Sequence, residues 1–160
     1  MGWGVGPPAL LVGHSLGGAA VLAAAAKIGE ARAVATIGAP FDADHVLGRL
    51  GEELKKVEAQ GEAEVTIGGR SFRVAKGFLE QTREQPQEER IAELGRALLV
   101  LHSPVDDVVG LENAGLIFQA ARHPKSFVAL DGADHLLTSE KDADYAAGVI
   151  AAWAEAYLPR

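Results

Sequence analysis

Four short stretches of the chain are apolar at nearly every position: Ala9-Leu10-Leu11-Val12, Ala33-Val34-Ala35-Thr36-Ile37, Ala97-Leu98-Leu99-Val100-Leu101 and Ser126-Phe127-Val128-Ala129-Leu130. A strand with one wet face alternates apolar and polar residues, whereas a strand covered on both faces does not. The runs therefore predict buried, parallel strands. Helical sequence lies between them. Leu16 to Ile28 is Ala-rich and apolar almost all round, which predicts a buried helix. Leu111, Ala114, Ile117, Phe118 and Ala121 share one face of a second helix, and Ala146, Val149, Ile150, Trp153 and Tyr157 share one face of the last. Strands alternating with helices in this way predict an α/β fold on a parallel sheet.

Phe41 to Gly95 breaks the rhythm, with more charge and no fully apolar strand. Val46, Leu47, Leu50, Leu54 and Val57 mark an amphipathic helix. Gly68-Gly69 then reads as the two-residue turn of a hairpin. That turn sets Val65 opposite Phe72, with Ile67 and Val74 on the same face. On the other face Glu64 meets Arg73, an opposite-charge cross-strand pair. A further helix is expected from Gln87 to Leu94, stopping at Gly95. Residues 1–40 and 96–160 are thus expected to form the core. Residues 41–95 are expected to form a helix–hairpin–helix cap, or lid, inserted between the second and third core strands.

Composition narrows the field. With 160 residues, 48% hydrophobic and 23% charged, the chain has the size and balance of one globular domain. It has no cysteine, which excludes disulfides, thiolate nucleophiles, zinc–thiolate sites and iron–sulfur clusters. A net charge of -7 disfavours nucleic acid and anionic membrane as partners. Met1 to Ala26 carries no Asp, Glu, Lys or Arg, yet it has no basic leader, and Pro7, Pro8, several glycines and His14 interrupt it. Gly6 stands where a myristoylation signal requires Ser or Thr. A cytoplasmic location is expected. No His/Asp cluster has metal-ligand spacing, and neither a metal nor a cofactor is expected.

The chemistry starts at Gly13-His14-Ser15-Leu16-Gly17. A bare G-x-S-x-G can be a glycine-rich turn with an incidental serine. Here it follows an apolar strand and opens an apolar helix, the setting of a nucleophile elbow. A serine on so tight a turn needs small neighbours two positions away, and Gly13 and Gly17 are expected to meet that demand, with Gly18 easing close approach. The helix beginning at Leu16 aims its positive end at the reacting centre, and the Leu16 N–H is placed to donate to an oxyanion. A serine also needs a base. In this strand-turn-helix context the chain order is Ser, then Asp or Glu, then His. Loops after the third and fourth core strands, Leu101-His102-Ser103-Pro104-Val105-Asp106-Asp107 and Asp131-Gly132-Ala133-Asp134-His135, supply both. Each lies beyond the C-terminal end of a parallel strand, the edge where open α/β sheets bind ligands.

With these motifs the chain resembles the α/β-hydrolase superfamily. Members often read H-G-x-x-D-x-x-V-P at the acid turn, and His102, Ser103, Asp106, Val109 and Gly110 stand at the corresponding places. The resemblance implies Asp106 as the acid, with adjacent Asp107 as its rival, and His135 as the base. Ser103 and Gly110 depart from the commoner Gly and Pro, which touches turn geometry but not the acid. More narrowly, Ile37-Gly38-Ala39-Pro40-Phe41-Asp42, the Gly68-Gly69 hairpin, His102-Ser103-Pro104 and His123-Pro124-Lys125-Ser126 resemble bacterial hydrolases often fused to an OsmC-like domain. That OsmC-like part would need cysteines, which this sequence lacks. The resemblance implies hydrolysis of a small carboxylic ester through an acyl-enzyme on a Ser15, Asp106, His135 triad. Phe41, Phe78 and Leu79 of the cap would line the acyl pocket.

In the family fold several strands precede the elbow, and one of their loops supplies a second oxyanion-hole N–H. Few residues precede the elbow strand here, so a substitute donor is expected from Gly2 to Gly6, from the cap or from a partner subunit. An uncovered apolar edge strand promotes association. A homodimer is expected, pairing Ala9, Leu10, Leu11 and Val12 with their counterparts in one continuous sheet. The remaining histidines have plain readings. His14 is a packing neighbour of the nucleophile, His45 begins the cap helix, His102 supports the acid turn and His123 sits in a Pro-flanked loop. Asp131 and Asp134 are expected to hydrogen-bond loop backbone. Fold does not fix chemistry. A non-catalytic remnant serving binding or assembly, and a peptidase or acyltransferase on the same triad, stand beside the esterase reading.

Overall fold

The computed structural model describes residues 6–43, 47, 51–67, 69–84 and 86–159. His45, Val46, Leu50 and Gly68, and with them parts of the expected cap helix and hairpin turn, lie outside the described residues. In chain order the elements are β1 (Leu10–His14), α1 (Leu16–Ala24), β2 (Ala33–Ile37), α2 (Glu52–Gln60), β3 (Glu62–Ile67), β4 (Arg70–Ala75), α3 (Lys76–Glu84), α4 (Gln87–Ala92), β5 (Ala97–His102), α5 (Glu112–Ala120), β6 (Lys125–Ala129) and α6 (Glu140–Ala154).

The main sheet is parallel, in the order β1-β2-β5-β6. Its two central strands explain the unbroken apolar runs, because successive side chains enter opposite layers. Val34, Leu98 and Val100 meet Leu22 of α1, Ile91 of α4 and Ala114 and Ile117 of α5. Ala35, Leu99 and Leu101 meet Leu130 and, from α6, Ala146 and Ile150. Every residue of β5 is buried as a result. β1 is an edge strand, and its Val12 is 48% exposed. Among the described residues no strand pairs with its outer edge, the edge on which a second copy was expected.

Several element ends differ from the sequence reading for local reasons. The first helix is α-helical only to Ala24 and closes through a tighter 3-10 turn, Ala25–Lys27, where Ile28 was expected. β6 begins at Lys125, because that side chain has a task at the strand's start. Its Nζ donates to the Phe118 and Ala121 carbonyls at 2.7 and 2.8 Å and lies 4.6 Å from the Phe118 ring centroid, satisfying orphan carbonyls at the end of α5. α6 begins at Glu140, earlier than its apolar face suggests, because Ser139 caps it by accepting from the Asp142 N–H.

The insertion between β2 and β5 carries the expected hairpin register, with Val65 opposite Phe72 and Glu64 opposite Arg73. Val65, Ile67 and Val74 are buried on its inner face. The outer charges pair on a diagonal, with Arg73 Nη1 3.6 Å from Glu62 Oε1 and both side chains largely exposed, so the pair adds little stability. A helix not expected from the sequence, α3, follows β4 directly. Its Leu79 joins Val57, Val65, Ile67 and Val74 in a cluster that also takes in Leu16 and Ala19 of α1. The insertion is therefore seated on the helix that begins beside Ser15.

Replacing Lys125 by Met keeps the aliphatic stem and removes the donor. Denaturant unfolding should show a midpoint lowered by the equivalent of about 1 kcal/mol, with an unchanged slope.

Candidate active site

Ser15 stands alone between the last residue of β1 and the first of α1, with φ 53° and ψ -127°. A residue with a side chain held there costs of order 1–3 kcal/mol. Hydrogen bonds on both sides hold it. The Ser15 N–H donates to the Ile37 carbonyl at 2.8 Å, and the Gly18 N–H donates to the Ser15 carbonyl at 2.8 Å. A Cβ at Gly13 would drive into the Gly17 carbonyl and come within 2.7 Å of Gly18 Cα. A Cβ at Gly18 would lie 2.5 Å from Ala39 Cβ, whereas one at Gly17 would meet nothing within 4 Å. The demand for a missing side chain thus falls on Gly13 and Gly18, which corrects the role expected for Gly17.

His135 reaches Ser15 from the loop after β6. Its Nε2 lies 3.0 Å from Ser15 Oγ and its Nδ1 lies 2.7 Å from Asp106 Oδ2. A carboxylate only accepts, so Nδ1 carries the proton and Nε2 is left to accept from the serine hydroxyl. Ser15 and His135 are buried, and the Asp106 side chain is 2% exposed. A buried carboxylate needs partners. Besides His135, Asp106 has the N–H groups of Val108 and Val109, which donate to Oδ1 at 2.9 and 2.8 Å. Asp107 is exposed. Of the two adjacent carboxylates, Asp106 is therefore the one set against His135.

The surrounding residues hold this chain of groups in place. His102 is fully buried, and its Nε2–H donates to the Val109 carbonyl at 2.8 Å while lying 3.7 Å from Asp106 Oδ2. Its Nδ1 has no partner among the described residues. Asn113 accepts from the Phe41 N–H and donates to the Gly110 carbonyl, both at 3.0 Å, tying the start of the insertion to the turn after Asp106. Asp134 accepts from the Thr138 N–H at 2.8 Å and from the Thr138 hydroxyl. Those bonds hold its carboxyl below the usual range, in keeping with a loop-fixing role.

Two contacts escaped the sequence reading. The His14 Nε2–H donates to the His135 carbonyl at 2.6 Å, and the two rings lie 5.0 Å apart. Burial chiefly holds the His14 imidazole below its ordinary value of 6.5. Gly38, directly after β2, has φ +54°, and a Cβ there would lie 3.2 Å from Asp106 Oδ2 and 3.4 Å from His135 Nδ1. The signal for Gly38 was a glycine at the same sheet edge as Ser15 and Asp106.

Leu16, the expected oxyanion donor, is the first residue of α1, so its N–H has no acceptor one turn back. Of the candidate second donors, Gly2 and Gly4 lie outside the described residues, and Gly6 is exposed. The expected pocket residues fall in two different packing clusters. Phe78 and Leu79 join the insertion's cluster, Leu79 fully buried, whereas Phe41 packs on the core cluster with Leu22 and Ile91. Two cavities of about 280 Å³ lie elsewhere, one by Leu94, Arg96 and His123 and one by Asp131 and Tyr145. Among the described residues, no group of three or more His, Cys, Asp or Glu side chains could hold a metal. None of their helices is long and apolar enough to cross a membrane.

No family model matches the sequence, and no curated protein matches it. Solved structures do. The esterase domain of a Rhodothermus marinus protein is 51% identical, with a TM-score of 0.82 over 94% of this chain and 62% of that one. Mouse α/β hydrolase domain-containing protein 10 shares the fold at 22% identity, with a TM-score of 0.60 over 94% of this chain and 63% of its own. The chain has the α/β-hydrolase fold. The monoacylglycerol lipase of Paleococcus ferrophilus is a more distant match in fold, at 15% identity and a TM-score of 0.57, over 88% of this chain and 66% of its own. The chain spans less than two thirds of the length of each.

The elbow's packing is testable by stability. Gly18→Ala should lower the unfolding free energy by about 1–3 kcal/mol through overpacking against Ala39. Adding Ala39→Gly should restore part of it, and Gly17→Ala should show no such loss. The pH behaviour of His14 has a definite sign. Its folded value is lowered, so the unfolded chain takes up this proton first, and stability falls as pH drops through 6.5. Thermal melts between about pH 7 and 5 should fall less steeply for His14→Gln than for the parent.

Proposed function

We propose that this α/β hydrolase cleaves small carboxylic esters through an acyl-enzyme on Ser15. The observation that carries the reading is the chain of contacts from Ser15 Oγ to His135 Nε2 at 3.0 Å and from His135 Nδ1 to Asp106 Oδ2 at 2.7 Å. Ser15 Oγ attacks the ester carbonyl carbon as His135 Nε2 takes its proton. Asp106 keeps the imidazole in the required tautomer and stabilises the imidazolium. The carbonyl oxygen becomes an oxyanion, held by the Leu16 N–H and the positive end of α1. Collapse of the intermediate expels the alcohol, which takes the proton from His135. Water, deprotonated by the same imidazole, then releases the acid and restores Ser15.

The ester class is supported by the 51% identity to an esterase domain. The insertion is proposed to act as the cap. It packs on Leu16 and Ala19, at the start of the helix that begins beside Ser15. Half-buried Phe78, at the margin of that cluster, is the pocket residue this placement favours.

The parent protein should hydrolyse p-nitrophenyl acetate and label with a fluorophosphonate probe, and Ser15→Ala should do neither. Asp106→Asn should lower kcat by about 10³–10⁴-fold, while Asp107→Asn should match the parent. A parent chain that folds but neither labels nor turns over would favour the binding or assembly role. Faster turnover of amides or transfer to added alcohols would move the reading to a peptidase or acyltransferase.

A further inference from the structure

The sheet order sets a problem that the triad must solve. Ser15 follows β1 and His135 follows β6, the two opposite edges of a four-stranded sheet. With strands about 4.8 Å apart, those edges are some 14 Å from one another. The loop bearing His135 must therefore cross over the ends of β5 and β2. Its internal bonds are local, Ala133 N–H to the Leu130 carbonyl, Leu137 N–H to the Asp134 carbonyl and Thr138 to Asp134. These shape the loop but do not fix it over β1. The bond from His14 does reach across: its Nε2–H donates at 2.6 Å to the backbone carbonyl of the base itself.

Resting on the reading of Ser15 and His135 as nucleophile and base, we infer that His14 is a positioning residue, which fixes the base over the nucleophile by holding the His135 carbonyl from the neighbouring position in the chain. A carbonyl only accepts, so His14 presents its Nε2–H in this bond. His14 ends β1 in register with Ile37, whose carbonyl holds the Ser15 N–H. One strand end therefore sets the positions of nucleophile and base together. The titratable and charged groups whose charge acts on His14 are His135, Arg70 of the hairpin and Asp106. Burial disfavours a second cation beside the His135 ring, and the neutral Nε2–H tautomer is the form the contact requires. A simple packing role would need only the ring's volume, so donor and volume can be separated.

His14→Phe keeps a ring and removes the donor, whereas His14→Gln places an amide N–H near the position of Nε2. With p-nitrophenyl acetate, His14→Phe should lower kcat by about 10–100-fold, since a misplacement near 1 Å can cost about 10²-fold. Its KM should stay within about twofold of the parent's, as expected for a contact that orients a catalytic group without touching substrate. Fluorophosphonate labelling of Ser15 should slow in parallel, and His14→Gln should recover most of both rates. A His14→Phe protein with the parent's kcat, or a His14→Gln protein as slow as His14→Phe, would overturn the inference. The imidazole NMR signals of His135 decide the matter without turnover. They should shift or broaden in His14→Phe and hold in His14→Gln. Unchanged signals in His14→Phe would overturn it even if the parent proved inactive, an outcome that by itself would count only against the esterase reading.

Discussion

The hydrogen bond from the Ser15 N–H to the Ile37 carbonyl is the constraint on which the rest of the site depends. It carries the β1–β2 ladder one residue past the end of β1, at a position where the chain must already turn into α1. Both demands are met only with φ at 53°, a conformation that side-chain-bearing residues avoid. The consequences spread from there. The tight reversal brings Gly13 against the backbone of Gly17 and Gly18, and it presses Gly18 onto Ala39. β2 therefore fixes the strained serine through one carbonyl and crowds its helix through the small residues that follow.

The second constraint is distance. A parallel sheet gathers its loops at one edge, but it does not bring its outermost strands together. His135 crosses two strand ends to reach Ser15, and each end accommodates it. At β2 the missing side chain of Gly38 leaves room for the Asp106–His135 contact. At β5 the fully buried His102 braces the turn after Asp106 by holding the Val109 carbonyl, while Asp106 accepts from the N–H groups of Val108 and Val109. The carboxylate is thus oriented by its own loop before it meets the imidazole. Little of this order depends on side chains that could rotate freely, as a preorganised site requires.

These features were unequally legible in the sequence. The ends of β2 could be read to the residue, because an unbroken apolar run bounded by polar or glycine positions has little freedom. The hairpin register followed from its period of two. Spacing could not separate Asp106 from Asp107, since adjacent residues satisfy any loop equally, and the geometry separates them by burial. α3 was missed because Gly77 interrupts its start and its apolar face is short. Gly38 and His14 were missed as contacts for a different reason. Each acts on residues far away in the sequence, and local pattern carries no trace of such a meeting. Lys125 reads as a poor strand residue until the carbonyls at the end of α5 are seen to need a donor.

α1 shows how one sequence property can have two causes. Its apolar character on nearly all sides reads simply as burial. In the structure, Leu22 faces the sheet layer with Val34 and Leu98, whereas Leu16 and Ala19 face the insertion with Val57, Val65 and Leu79. The helix is clasped between two cores. Its first turn, which carries the Leu16 N–H, belongs to the second of them. Displacing the insertion as a unit would uncover Leu16 and Ala19 and lose apolar burial at a cost of about 25 cal/mol per Å². The insertion is therefore part of what holds the start of α1. Variation in its inner face would alter the packing of Leu16 and Ala19, and with it the setting of the Leu16 N–H.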